Sequence, residues 1–169
     1  FFKTRGAPGT KDINLIKKFF YFIKKKKFTK TKLPKFDKSI DDRLKKKYWF
    51  NIKERPEIVI LEGWCVGAKP QSNSLIKKPI NILEKYEDKN LIWRKHINER
   101  LKREYKKLFE MIDCYIFMKI PNFHMVFKWR LLQENKLRKK SRFKKKIMSY
   151  NKIKRFIMFY QRITLQMIK

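Results

Sequence analysis

Glu57-Ile58-Val59-Ile60-Leu61-Glu62-Gly63 is a short apolar run that closes on a carboxylate and a glycine. Residues of both parities are apolar, so the run fits a strand covered on both faces, as in a parallel sheet between helices. Glu62 then falls at its C-terminal end, the end where open α/β sheets bind ligands. A second run of the same kind, Asp113-Cys114-Tyr115-Ile116-Phe117-Met118-Lys119-Ile120-Pro121, is stopped by proline. Between them lie a Gly/Pro/Ser/Asn loop (Gly67 to Ser74) and a segment from Leu91 to Ile112. In that segment Leu91, Trp93, Ile97, Leu101, Tyr105, Leu108, Phe109 and Ile112 share one helical face. Strand, helix, strand implies a right-handed crossover, so residues 58–62 and 114–120 are expected as parallel neighbours. The expected fold class is α/β, a three-layer fold with a parallel central sheet flanked by helices.

Working outward, residues 1–12 hold Gly6, Pro8 and Gly9 and read as a turn-rich loop, with Asp12 as N-cap of a helix running to about Ile23. Lys24–Lys32 is a basic run, and Pro34 to Trp49 is polar and irregular. Phe123 to Leu137 and Lys152 to Met167 read as two further helices, separated by the very basic Arg138–Lys146. No internal repeat is present.

The 169 residues suit one domain, and 43% hydrophobic with 15% aromatic content excludes a disordered polymer. Lys and Arg number 47 against 15 Asp and Glu, a formal charge of +32, which attracts polyanions whatever the fold. No stretch approaches the roughly 18 apolar residues of a membrane span. Cys65 and Cys114 lie far apart with no metal-ligand spacing, so a disulfide framework or zinc site has no support, and a reducing, cytoplasmic compartment is expected. His96 and His124 read as structural or surface residues. Phe1-Phe2-Lys3-Thr4-Arg5 does not read as a signal peptide. It reads as the middle of a longer chain.

Four segments carry the chemistry: Arg5-Gly6-Ala7-Pro8-Gly9-Thr10-Lys11-Asp12; Pro34-Lys35-Phe36-Asp37-Lys38-Ser39 with Asp42-Arg43 and Trp49; Val59-Ile60-Leu61-Glu62-Gly63-Trp64-Cys65-Val66-Gly67; and Ile112-Asp113, Trp129-Arg130-Leu131, Gln133-Glu134, Met148-Ser149 and Tyr160-Gln161-Arg162-Ile163-Thr164. In this order and spacing they resemble the P-loop glycerate kinases, relatives of the uridine kinase, pantothenate kinase and phosphoribulokinase type. The resemblance implies ATP-dependent phosphorylation of a hydroxyl on D-glycerate or a similar small hydroxy acid, with ATP and Mg²⁺ as cofactors. Asp12 is implied as the base for the acceptor hydroxyl, and Glu62 as a carboxylate serving Mg²⁺ through its water shell. Arg5, Asp37, Lys38 and Arg43 are the implied substrate-binding residues, a guanidinium suiting a carboxylate bidentately. Arg130 and Arg138, with Arg142, sit where related kinases carry a lid over the nucleotide phosphates. Trp64, Trp129 and Tyr160 read as core.

The pattern also departs from that family. No G-x-x-x-x-G-K-[ST] occurs, and Gly6, Gly9, Gly63 and Gly67 are all used by other segments. Lys11 stands where the family has His, and Ala68 where it has Phe. The chain is therefore expected to be a single partial kinase domain (1–169), N-terminally truncated and inactive alone. The competing reading is a basic nucleic-acid-binding protein, organelle- or ribosome-associated, on a degenerate kinase scaffold. Basic blocks at Lys24–Lys27, Lys45–Lys47 and Arg138–Lys146 motivate it.

Overall fold

A computed structural model describes residues 6–37, 40, 42–140 and 147–169. They separate into two units, Asp12–Glu62 and the pair of segments Phe1–Lys11 and Gly63–Lys169.

The Asp12–Glu62 unit opens with α1 (Ile13–Ile23), whose first turn is closed by the Asp12 side chain accepting the Leu15 N–H at 3.0 Å. Ile13 and Phe20 are its buried residues. The Pro34–Trp49 segment read as irregular holds one small ribbon, and a second pairs the residues that flank it. β1 (Thr31–Leu33) pairs antiparallel with β4 (Phe50–Ile52) in the register Thr31↔Ile52, and β2 (Phe36–Asp37) pairs antiparallel with β3 (Asp42–Arg43) through Phe36↔Arg43. A 3₁₀ turn over Lys46–Tyr48 separates β3 from β4, and the Trp49 indole N–H donates to the Leu44 carbonyl at 2.7 Å across it.

The larger unit is helical: α2 (Asn73–Lys77), α3 (Ile82–Glu87), α4 (Ile92–Arg100), α5 (Lys106–Phe109), α6 (His124–Lys140) and α7 (Tyr150–Met167). Ser72, Asn81 and Ser149 cap α2, α3 and α7, each accepting a backbone N–H three residues on. Between α4 and α5 the helix widens into a π-turn, Leu101–Tyr105, with both end residues buried. Leu91, just before α4, takes a left-handed φ of 61°, and Asp88 replaces it as the capping group by accepting the N–H groups of Trp93 and Arg94. Leu83, Trp93, Ile97, Leu101, Leu108, Ile153, Ile157 and Ile163 form the core, with α6 and α3 packed on α7.

The expected central parallel sheet is not found among the described residues. Residues 58–62 and 114–120 belong to no ladder, and the ladders present are the two antiparallel ribbons. The apolar side chains of both runs face solvent, Ile60 being 86% and Ile116 91% exposed. A strand is defined by its hydrogen-bonded neighbours, and apolar character without such neighbours does not make one.

Candidate functional site

Asp12 draws two of the sequence segments together. Its Oδ1 accepts the Leu15 N–H, and its Oδ2 accepts a hydrogen bond from Arg43 Nη1 at 3.0 Å. Arg43 is held on β3: its register partner is Phe36, its own N–H donates to Asp42 Oδ1 at 2.6 Å, and the following Leu44 N–H donates to the Lys35 carbonyl at 2.8 Å. The side chains of Arg43 and Asp12 are 46% and 47% exposed, so the pair is reachable from solvent. The Leu15 N–H foremost, and then Arg43 and Lys18, hold the Asp12 carboxyl below the ordinary aspartate range, while partial burial opposes them. Asp12 is thus an ionised acceptor at neutral pH, oriented at a helix N-terminus.

Asp37 lies at the end of β2 and is half-buried, paired with Asp42 in the ribbon register. Lys38 and Arg5 lie outside the described residues, as does Arg142. Glu62 is a correction to the sequence reading: it does not close a buried strand but is exposed, with no hydrogen bond or ion pair among the described residues. The reason is the missing ladder, which leaves residues 58–62 at the surface.

In the larger unit, the turn that precedes Asp12 in the chain is built with unusual care. Gly6 and Gly9 have φ of 108° and 97°, conformations that a side chain disfavours. The Thr10 hydroxyl donates to the Ala7 carbonyl at 2.7 Å and accepts the Gly6 N–H at 3.0 Å. The Trp64 indole N–H donates to the Gly6 carbonyl at 2.7 Å, and the Gly9 N–H donates to the Tyr105 hydroxyl at 3.4 Å. Trp64 and Tyr160 meet edge to face, ring centroids 5.0 Å apart. Burial raises the Tyr105 hydroxyl to about 12 and the Cys65 thiol to about 11, which keeps both protonated. In the sequence Tyr105 is one member of a helical stripe, and the π-turn that aims it is not visible in that spacing.

Arg130 and Arg138 share α6 but not an environment. Arg130 donates to Gln133 Oε1 at 2.7 Å and to the buried Glu134 at 2.6 Å, and its guanidinium lies 5.1 Å from the Phe156 ring centroid. Glu134 also accepts the Met148 N–H at 2.9 Å, so Arg130 is tied to the start of the α7 segment. Arg138 is exposed. Trp129, read as core, is 49% exposed, because it sits on the outer side of α6 while Trp64 and Tyr160 are half-buried.

No group of three or more His, Cys, Asp or Glu among the described residues is placed to hold a metal ion, and the four glycines lie against the side chains of Tyr160, His96, Val66 and Tyr115. A cavity of about 20 Å³, lined by Gln71, Trp93, Arg94, Asn98, Arg162 and Gln166, has room for one water and not for a nucleotide. No helix among the described residues is long and apolar enough to cross a membrane.

The arrangement, an ionised aspartate at a helix start beside an arginine on a short ribbon, accompanies a P-loop kinase-like α/β fold that is helix-rich with few strands. No family model matches the chain. D-glycerate 3-kinase from Cryptococcus neoformans var. grubii superposes with a TM-score of 0.70 at 27% identity, over 93% of this chain and 56% of that one. Two curated proteins align over 140 residues, 79% of this chain, at 26% identity: a Schizosaccharomyces pombe protein named as an uncharacterized kinase, and the chloroplastic D-glycerate 3-kinase of Arabidopsis thaliana. The chain spans 49% of the first and 28% of the second. These likenesses support a glycerate kinase-like P-loop kinase family for the chain, the one its four motif segments resemble.

Proposed function

We propose that the native protein containing this chain transfers a phosphoryl group from ATP, with Mg²⁺, to a hydroxyl of D-glycerate or a similar small hydroxy acid. The observation that carries the reading is the Asp12 carboxylate held between the Leu15 N–H and the Arg43 guanidinium at a solvent-reachable helix start. When bound, ATP supplies the phosphoryl group, whose charge is spread over its equatorial oxygens in the transition state.

Asp12 orients the acceptor hydroxyl and takes its proton late. A carboxylate with lowered basicity suits a loose transition state, in which the nucleophile loses its proton only as the new bond forms. Arg43 holds the acid end of the acceptor and Asp37 accepts from one of its hydroxyls; the resemblance gives Lys38 and Arg5, outside the described residues, as further positive charge for the same carboxylate. Glu62 serves the metal through water, a role its exposure permits. Arg138 and, by partial release from Glu134, Arg130 meet the phosphates. The two units are read as one partial kinase domain, in a reducing compartment, and the chain by itself is inactive because its sequence has no phosphate-binding loop.

The test assays D-glycerate phosphorylation by the native polypeptide and by the 169-residue chain, with RNA binding followed across salt. Transfer by the native polypeptide alone supports the proposal. RNA binding that is sequence-selective and survives physiological salt, with no transfer by either form, replaces it with the nucleic-acid reading.

A further inference from the structure

We infer that Arg43 is a bridging residue, holding the acceptor's carboxylate and Asp12 at the same time and so selecting acids whose hydroxyl lies a short reach from the carboxylate. The inference rests on the proposed function and concerns the Asp12–Glu62 unit alone.

The two oxygens of Asp12 have different partners. Oδ1 is committed to the helix through the Leu15 N–H, while Oδ2 receives Arg43 Nη1 at 3.0 Å. Oδ2 has a further lone pair, so it is the oxygen that can meet an acceptor hydroxyl, and Arg43 is the group that aims it. A guanidinium has five N–H donors in a rigid fork, and the contact with Asp12 takes one. The others offer the bidentate geometry that a carboxylate fits.

The pair is not explained by stability. Each side chain is nearly half exposed, 46% and 47%, and an ion pair of that exposure contributes at most about 1 kcal/mol. Yet the backbone around Arg43 is fixed on both sides, by Asp42 Oδ1 on its own N–H and by the Lys35 carbonyl on Leu44, with Trp49 closing on the Leu44 carbonyl. A ribbon of two residues per strand carries this much anchoring where the guanidinium needs a defined position.

Lysine does not substitute for this geometry. An ammonium is a point charge and does not present a planar fork to two carboxylates. A neutral acceptor with the same hydroxyls loses the carboxylate contact but keeps an aimed Asp12.

The experiment measures kcat and KM of the native protein with D-glycerate and with its neutral amide, D-glyceramide, for wild type, R43K and R43Q. Loss of a charge-assisted hydrogen bond corresponds to about 10- to 100-fold. R43Q is expected to lower kcat by that order with both acceptors and to raise KM for glycerate only. R43K is expected to recover part of the glycerate KM and little of kcat. A glyceramide rate untouched by R43Q makes Arg43 a carboxylate clamp alone, and equal kcat losses with unmoved KM make it a positioning residue for Asp12 alone; either overturns the bridge. If wild type transfers phosphate to neither acceptor, the proposed function fails, and NMR of the 169-residue chain decides the bridge separately. D-glycerate must then shift the Asp12 carboxyl and Arg43 guanidinium resonances together in wild type, and leave Asp12 unmoved in R43Q. Absence of the joint shift overturns it.

Discussion

Arg162 grips Glu84 with one edge of its guanidinium, Nε on Oε1 at 2.8 Å and Nη2 on Oε2 at 2.5 Å, across 78 residues of chain. Glu84 is wholly buried and accepts the Ile80 N–H as well, while Arg94 stands 3.8 Å away and is itself held by Asp88 and the Ile76 carbonyl. α7 is thereby tied to α3 by charge as well as by packing, with Leu83, Ile153 and Ile157 buried. Removing one member leaves a buried charge unpaired, which costs about 3–5 kcal/mol. Arg162→Met is expected to lower unfolding free energy by that amount in urea titration. A change under 1 kcal/mol would mean that Arg94 alone satisfies Glu84.

Gly9 is constrained twice. Its φ of 97° lies outside the range of ordinary residues, and a Cβ there would approach His96 Nε2 to 3.0 Å and Arg100 Cγ to 3.5 Å. Gly9→Ala is expected to destabilise by about 1–3 kcal/mol from the backbone conformation. Adding His96→Ala removes the contact but not the torsion, so thermal denaturation should show only partial recovery. Full recovery in the double variant would make the clash the sole constraint.

The helices were legible because their spacing and caps agree. The Leu91–Ile112 stripe became α4, the π-turn and α5, and Asp12 caps α1 as its position implies. The capping signals at Ser72 and at Asn81, three residues before Glu84, were also in the sequence, but Ser72 lay inside the stretch that read as loop and Asn81 between that loop and the Leu91–Ile112 stripe, where the sequence reading assigned no element. The ribbons at 31–52 were hidden because strands of two and three residues are too short for any alternation to register. The runs at 58–62 and 114–120 misled for the opposite reason: composition reports apolar character, whereas a ladder needs a partner. Of the site, Asp12 and Arg43 came from separate motifs, and only folding shows their contact. The Glu84, Asp88, Arg94 and Arg162 network was invisible because, in a chain that is 37% charged, nothing in the sequence separates a buried charge from a solvated one.

Asp12 gives a pH signature. Its folded pKa is below the ordinary aspartate value, so its contribution to stability is complete above the unfolded pKa near 3.8 and is lost as pH falls through the lower folded value. Titration of the Asp12 side-chain carboxyl by ¹³C NMR is expected to show a midpoint under 3.8 in wild type and a rise toward it in Arg43→Gln. An unchanged midpoint in the variant would remove Arg43 as an electrostatic partner and leave the Leu15 N–H as the cause.

The two cysteines are expected to separate kinetically. Cys114 is exposed, while Cys65 is buried and its thiol is raised to about 11, so its thiolate is scarce at pH 8. Ellman's reagent should modify one thiol quickly and the second only at the rate of unfolding. Two equally fast thiols would show that the segment around Cys65 opens without global unfolding.

Glu62 supplies the cleanest separation of chemistry from folding. Because it is exposed and has no ion-pair or hydrogen-bond partner among the described residues, Glu62→Gln removes a charge from the surface, and a change of that kind stays within about 0.5 kcal/mol of wild type. Any loss of turnover in the native protein is then a loss at the transition state and not a fraction of unfolded enzyme. A carboxylate that orders the water shell of Mg²⁺ should, when neutralised, lower kcat and raise the Mg²⁺ concentration needed for half-maximal rate, while KM for D-glycerate holds. Measuring turnover across a Mg²⁺ series, with urea unfolding of the same variant alongside, reads both quantities. Unchanged turnover at limiting and saturating Mg²⁺ would exclude Glu62 from the metal's surroundings. Lowered stability would instead assign the carboxylate a structural partner.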